Sequence, residues 1–165
     1  MRYDAENLYL GLTAPQVKAL AASRAEDSDV SDDAAIMTFM FDTNFDRWSF
    51  FSLHLDCRGG LDCHYAPVPW VPKGPMDVAA CKAAVSEDDG TAEVSIPLSL
   101  FSYRWPAGKA LKSPVAEGSV WGANFVMIDP TSGSEMSWAP LSGRTDGEPD
   151  RFNAIRFVGK ASKEE

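Results

Sequence analysis

Both histidines of this chain and two of its three cysteines lie within eleven residues, a spacing close to that of a small metal site. They are His54, Cys57, Cys63 and His64. A structural zinc site needs four nitrogen or sulfur ligands that converge tetrahedrally at about 2.0–2.3 Å. The same stretch also reads as a β-hairpin turning at two adjacent glycines, and neighbouring side chains on a strand point to opposite faces. His54 and Cys57 would then face apart, as would Cys63 and His64, so we expect no zinc site here.

A disulfide is the second chemistry that this hairpin could support. Cys57 and Cys63 can pair only if the turn places them directly opposite, with Cα atoms about 4.4–6.8 Å apart. Because the chain has three cysteines, at most one bridge can form, and no disulfide framework holds the fold together. Whether this pair is bridged stays open on the sequence.

Side chains with oxygen atoms that could bind a metal ion stand at alternate positions in the short stretch DTNFD. Asp42, Asn44 and Asp46 carry the carboxylate and amide oxygens that suit calcium. The glycine and the terminal glutamate of an EF-hand loop are missing, since their places hold Arg47 and Leu53. A structural calcium ion held by the first three residues is therefore one prediction, and an ordinary Asp- and Asn-containing turn is the alternative.

Motifs of enzymatic chemistry are missing from the sequence. It contains no GxSxG, no P-loop and no GxGxxG placed after a strand. No Asp or Glu has an obviously apolar sequence neighbourhood that would raise its pKa for acid–base work. We therefore expect a protein that is not an enzyme.

Size and charge narrow the class of protein further. The 165 residues suit a single domain, 1–165, with one core, and the hydrophobic share of 45% is ordinary for a globular protein. The net charge of −9 and the scattered basic residues argue against nucleic-acid binding, which needs clustered Lys and Arg. No apolar run reaches the roughly 18 residues that span a bilayer. The charged start, MRYDAENLYL, is unlike a signal peptide.

The elements that position these residues are predicted to be short strands. Apolar runs alternate with turn-forming residues along most of the chain, which is typical of antiparallel β proteins. Strands are predicted over NLYLGL, AAIMTFMF, RWSFFSLHLD, a short return strand, about 78–85, TAEVSI, SVWGANFVMID, EMSWAP and FNAIRFV. One short helix is predicted near residues 14–24. The predicted fold is all-β: an antiparallel two-sheet β-sandwich of jelly-roll type with that helix.

Tryptophan placement suggests where a ligand could bind. In RWSFFSLHLD, period-two alternation puts Trp48, His54 and Asp56 on one strand face, and Trp70 stands in a proline-rich loop that could fold over it. A pyranose ring stacks its C–H face on an indole and offers hydroxyls to polar groups. This face is a candidate saccharide surface, and a solvated strand face beside a covering loop is the alternative.

The two other strand tryptophans, Trp121 and Trp138, are predicted to lie in the core.

Seven separated segments of the chain follow one another in the order and spacing of a known family. They are YDAENLYLGL, DVSDDAAIMTFMFDTNFD, FFSLHLDCRGGLDC, GTAEVSIPLSLF, WGANFVMID, MSWAP and PDRFNAIRFV. From about Arg2 to Val158 the sequence thereby resembles the family 9 carbohydrate-binding modules. It resembles a member of that family that is short at its N-terminus. The resemblance implies a β-sandwich that binds oligo- or polysaccharide without catalysis or membrane insertion. It also implies adjoining domains in a larger polysaccharide-active or cell-surface protein, in an extracellular or cell-envelope location.

The resemblance extends only in part to the family's binding residues. Sugar-binding members carry one aromatic residue before an acidic pair and another before a final Pro-x-basic-Phe motif. Here Val30 stands at the first place, and Gly147 or Asp146 at the second. His54 stands where the family can place a sugar-contacting arginine, and Asp56 where it places an asparagine.

Three hypotheses follow for the function. The first is a carbohydrate-binding module that uses aromatic stacking and hydroxyl hydrogen bonds. The second is a structural or interaction sandwich that has lost the sugar site. The third, more distant, is a haem-binding relative with Met127 or Met136 as ligand.

Overall fold

The structure is a computed structural model, and it describes residues 1–13, 35–56, 58–67, 74–86, 88–102, 115, 117–128, 132, 134–140 and 148–159. These residues form eleven strands and two short 3₁₀ helices. The strands are β1 Arg2–Tyr3, β2 Asn7–Thr13, β3 Ala35–Asp42, β4 Phe50–Asp56, β5 Leu61–Ala66, β6 Gly74–Pro75, β7 Lys82–Ser86, β8 Thr91–Pro97, β9 Val120–Ile128, β10 Glu135–Ser137 and β11 Asn153–Arg156. The 3₁₀ helices are Leu98–Ser102 and Pro149–Arg151. Neither helix is long or apolar enough to cross a membrane.

The strands pair antiparallel in two sheets. The smaller sheet has four strands in the order β1-β2-β8-β7. The larger has seven, in the order β10-β9-β3-β4-β5-β6, and β11 pairs with the other end of β9. This arrangement confirms the predicted two-sheet antiparallel β-sandwich, whereas its jelly-roll type stays a prediction.

Strand alternation places one apolar face of each sheet in a shared core. The smaller sheet contributes residues such as Leu8 and Ile96, and the larger contributes Phe41 and Leu53, all 2% exposed or less. Edge-to-face aromatic contacts connect the elements; the Phe41 and Phe101 ring centroids, for example, lie 5.6 Å apart. Such pairs add roughly 0.5–1.5 kcal/mol to the area they bury. The outer face of the larger sheet is itself partly covered, because Met40, Phe50 and Phe152 belong to a second buried apolar cluster. The rest of the outer faces is left for function.

Two predicted strand boundaries are wrong for local reasons. The third predicted strand starts at Phe50, not at Arg47, because Arg47 has a left-handed backbone (φ 65°) and belongs to the preceding turn. The strand predicted over 78–85 starts at Lys82, since the Cys81 amide donates to the Val78 carbonyl (2.8 Å) and closes a turn there. The predicted helix near 14–24 lies outside the described residues.

The prediction for the two strand tryptophans is right once and wrong once. Trp121 is 2% exposed and belongs to the core, whereas Trp138 is 48% exposed. Trp138 follows the three-residue edge strand β10 and stacks on the Phe125 ring (centroids 5.2 Å, interplanar angle 19°). No further strand lies beyond β10 in the described part of the sheet, so the indole stays half open to solvent.

Candidate functional site

Strands β3, β4 and β5 bring polar side chains together on the outer face of the seven-stranded sheet. Thr38 pairs with His54, and His54 with Asp62, in one row across the strands. Ser52 pairs with His64 in the next row. We call these five residues the histidine face. Of the residues named in the sequence analysis, His54 and His64 are the two that the fold brings together here.

His54 is fixed by hydroxyl groups on both sides of its ring. Its Nδ1 lies 3.0 Å from Thr38 Oγ1, and its Nε2 lies 3.0 Å from Ser52 Oγ. Thr38 and Ser52 are 4% and 0% exposed, so both hydroxyls are themselves immobilised. A hydroxyl can donate or accept a hydrogen bond, and the pair can therefore hold either tautomer of the imidazole. The ring is positioned before any ligand arrives.

His64 and Asp62 provide hydrogen-bonding groups beside that ring. The two imidazoles lie 6.0 Å apart between centroids and 68° apart in plane. His64 Nδ1 lies 3.3 Å from Asp62 Oδ2, while His64 Nε2 has no hydrogen-bond partner among the described residues. Neither Asp62 nor His64 is among the saccharide contacts predicted from the sequence. Pairing the hairpin outward from its turn, with Leu55 opposite Leu61, is the signal that could have placed them beside His54.

Asp56, another predicted site residue, organises the β4–β5 turn. Its Oδ1 accepts the backbone N–H groups of Arg58 and Gly60, each at 2.7 Å. A side chain at position 60 would collide with this carboxylate, and Gly59 has a φ of 85°. Asp56 and the two glycines therefore set the hairpin register that aligns the histidine face.

Trp48 lies at the opposite end of β4 from Asp56. It precedes the strand, which spans roughly 20 Å at the usual rise per residue, and it is 50% exposed. Its backbone N–H donates to Asp46 Oδ1 (2.8 Å), which keeps it in the β3–β4 turn. Trp48 and Asp56 are thus too far apart to contact one sugar ring. Trp70, the fourth predicted contact, lies outside the described residues.

The three predicted calcium ligands lie at the end of β3 and in the β3–β4 loop. Asp42 is 0% exposed and accepts the N–H groups of Arg47 (2.7 Å) and Asp46 (3.3 Å). The Asn44 side-chain amide donates to Asp46 Oδ2 at 2.7 Å. Among the described residues, no three His, Cys, Asp or Glu side chains are grouped so as to hold a metal ion. Calcium at this loop stays a prediction.

Asp42 corrects the expectation that no carboxyl group has an apolar setting. Its pKa is raised to about 6, chiefly by burial and also by the nearby Asp46 carboxylate, although the hydrogen bond from the Arg47 backbone lowers it. Asp42 ends a strand whose preceding residues Phe39, Met40 and Phe41 are all buried. These apolar sequence neighbours could have indicated its apolar setting.

Cys63 points away from the histidine face. It is a free thiol, 0% exposed, within the core between the sheets. Burial raises its pKa to about 12, and Cys81 adds to the shift. Because Cys63 is free, it forms no bridge with Cys57, which itself lies outside the described residues. The predicted alternation of Cys63 and His64 is confirmed.

No protein-family model and no curated protein sequence matches this chain. Solved structures match its fold. A Bacteroides uniformis protein, provisionally described as carbohydrate-binding, superposes with a TM-score of 0.59 at 18% identity, over 78% of this chain and 63% of that one. A family 9 carbohydrate-binding module from Caldicellulosiruptor kristjanssonii superposes at 15% identity, with TM-scores of 0.57 in its glucose complex and 0.58 in its cellotriose complex. Those matches cover 97% and 99% of this chain and 75% of the module.

The fold is therefore that of the family 9 carbohydrate-binding modules, as the resemblance predicted. The chain spans 63% of the length of the Bacteroides protein and 75% of the Caldicellulosiruptor module. A fold does not by itself define a function; the function depends on the sites on its faces.

Proposed function

We propose that this protein binds oligosaccharides without catalysis and that the histidine face is its binding surface. The observation that carries the proposal is the His54 ring, held at both nitrogens by buried hydroxyls beside the His64–Asp62 pair. The likeness in fold to a module solved with glucose and cellotriose supports the ligand class.

Each part of the face has a separate role in this proposal. The imidazole rings offer flat contact to the C–H face of a pyranose, as aromatic rings do. His64 Nε2 and the Asp62 carboxylate, which is 60% exposed, bind sugar hydroxyls. A few such contacts give a dissociation constant of about 1 mM, the equivalent of roughly 4 kcal/mol.

The other predicted contacts belong to the proposal as outer subsites. Trp48 is exposed at the far end of β4 and offers a stacking surface to a longer chain. Asp56 and Trp70 remain candidate contacts. We also propose that the module adjoins other domains of a secreted or cell-surface protein, with an extracellular or cell-envelope location.

One observation favours a second candidate, an interaction domain without a sugar site. Met136 and Trp138 are 55% and 48% exposed at the β10 edge and form an apolar surface. Apolar surface of this kind suits a protein partner. Self-association or capture of a partner through this edge, with no saccharide binding, would favour this candidate.

Calorimetry with glucose, cellotriose, and xylo- and manno-oligosaccharides tests the primary proposal. We expect saturable binding of at least one ligand and its weakening by Asp62→Asn and His64→Ala. Asp88→Asn is the matched control, because it removes one exposed carboxylate from the other sheet's β7–β8 turn. No heat with any ligand would exclude saccharide binding, and equal weakening by the control would exclude this face.

A further inference from the structure

The outer face of the four-stranded sheet carries a groove of its own. Arg2, Tyr9, Ser95 and Lys82 form one row across all four strands, each paired with the next. The groove has a volume of about 620 Å³ and includes all four residues in its lining. At the usual strand spacing, the row is roughly 14 Å long. That length suits a short linear oligomer lying across the strands.

Gly11 leaves free space in the floor of this groove because it has no side chain. It occupies an interior position of β2, opposite Glu93, and Ala84 stands opposite Glu93 on the next strand. The φ of Gly11 is not in the positive region, and a Cβ built on it would meet nothing within 4 Å. Neither backbone conformation nor a close neighbour in the described structure requires glycine here. Glycine inside a strand weakens it and often marks the close approach of a ligand.

A rigid aromatic ring lies beside Gly11. Tyr9 is 38% exposed, and its hydroxyl donates to Asp4 Oδ2 at 2.8 Å, which fixes the ring on the sheet. A ring with its hydroxyl already anchored offers its face to a ligand at little further cost in entropy. Aromatic faces of this kind suit the apolar side of a pyranose.

The charged side chains around the ring are available for ligand hydroxyls. Arg2, Lys82 and Glu93 are exposed, and the structure shows none of them in an ion pair with another described residue. Guanidinium and carboxylate groups are planar and can each bind two hydroxyls. Cations stand at both ends of the row, and Glu93 lies beside it, opposite Gly11. These charges suit a ligand that is polar along its whole length.

We infer that this groove is a second saccharide-binding site, taking a short linear oligosaccharide with one ring on Tyr9 and the chain crossing over Gly11. It lies on the face of the sandwich opposite to the histidine face, so the protein would engage two chains, or two segments of one chain, at once. Two weak sites on one module increase overall avidity without any new contact. The inference shares its ligand class with the proposed function but uses different residues.

Mapping by ¹H–¹⁵N NMR with cellotriose, xylotriose and mannotriose tests the inference. We expect saturable shifts of the Tyr9, Ser95 and Lys82 amides with at least one ligand. Tyr9→Ala should weaken binding in the groove roughly tenfold, and Tyr9→Phe should retain the stacking. Gly11→Val should abolish groove binding with an unchanged or raised unfolding midpoint, because the strand gains a β-branched residue in open space. Gly11→Ala, which adds only a methyl group, is the matched control.

The outcomes separate the two sites. Shifts only at the histidine face overturn the second site and leave the proposed function standing. Shifts only in the groove support the second site and overturn the histidine face as the binding surface. No groove shifts with any trisaccharide, or groove binding that survives Gly11→Val, overturns the inference.

Discussion

Removing the two hydroxyls that hold His54 should destabilise the fold by a measurable amount. Thr38→Val keeps the side-chain shape and Ser52→Ala shortens it by one atom, so each removes a hydrogen bond of 3.0 Å without opening a large cavity. A buried hydrogen bond contributes about 1 kcal/mol net. His54 is half-buried, and water can then reach the nitrogen that has lost its hydroxyl. The cost of each variant should therefore stay near that value.

The double variant gives the larger signal. Its unfolding free energy should fall by about 2 kcal/mol, which for a chain of this size lowers the thermal midpoint by roughly 4–8 °C. Both hydroxyls bind one ring, so the difference between the double variant and the sum of the two single variants measures the coupling between them. Urea unfolding measures the free energies, and a cellotriose titration of the same samples measures the effect on binding.

Ser95→Ala is the control for this experiment. Ser95 also lies on the outer face of a strand, and its hydroxyl makes no hydrogen bond to another described residue. Its unfolding free energy should change by no more than about 0.5 kcal/mol. If Thr38→Val and Ser52→Ala cost no more than this control, the hydroxyls do not hold the ring and the reasoning is refuted.

Three further predictions concern the core and the β3–β4 loop. Cys63 should not react with a thiol reagent at pH 8 in the folded protein, since its pKa is about 12; labelling as fast as that of a denatured sample would contradict its burial. Asp42 takes up a proton near pH 6 in the folded state and only near pH 3.8 in the unfolded state. Lowering the pH between these two values therefore stabilises the folded state through this group. In EDTA, the wild type should therefore gain about 2 kcal/mol over Asp42→Asn between pH 7 and pH 4, and a constant difference would refute the raised pKa. If calcium binds Asp42, Asn44 and Asp46, millimolar CaCl₂ should raise the thermal midpoint of the wild type and not of Asp46→Ala; equal midpoints with calcium and EDTA would exclude the ion.

The core and the hairpin could be predicted from sequence because strand alternation is a local property. Phe51, Leu53 and Leu55 alternate with polar residues, and all three face the core as the period of two requires. The turn was indicated by Gly59 and Gly60, and their positions fix which side chains of β4 and β5 stand opposite each other.

The wrong predictions concern features that the alternation of apolar and polar residues along a strand does not determine. Trp48 was assigned to the strand face because the apolar pattern continues through it, but the hydrogen bonds of Asp46 hold it in the turn. Trp138 was assigned to the core from its strand motif, but it is exposed because the described part of the chain places no strand beyond β10. Such facts depend on which elements pair at a sheet edge, and a strand's own sequence does not state them.

The groove on the four-stranded sheet could not be predicted from sequence either, because it also depends on how strands pair. Gly11 looks like a minor interruption of the NLYLGL strand in the sequence. Its meaning appears only when Tyr9, Glu93 and Ala84 are brought beside it by pairing across three strands.

The most direct test of saccharide binding at the histidine face uses the two histidine rings themselves. The chain has only two histidines, so their imidazole ¹H signals can be assigned by comparing the wild type with His64→Ala. Titration with cellotriose and with xylo- and manno-oligosaccharides should give saturable shifts of both rings with at least one ligand, weakened by Asp62→Asn. Imidazole signals that stay unchanged with every one of these ligands would contradict the account.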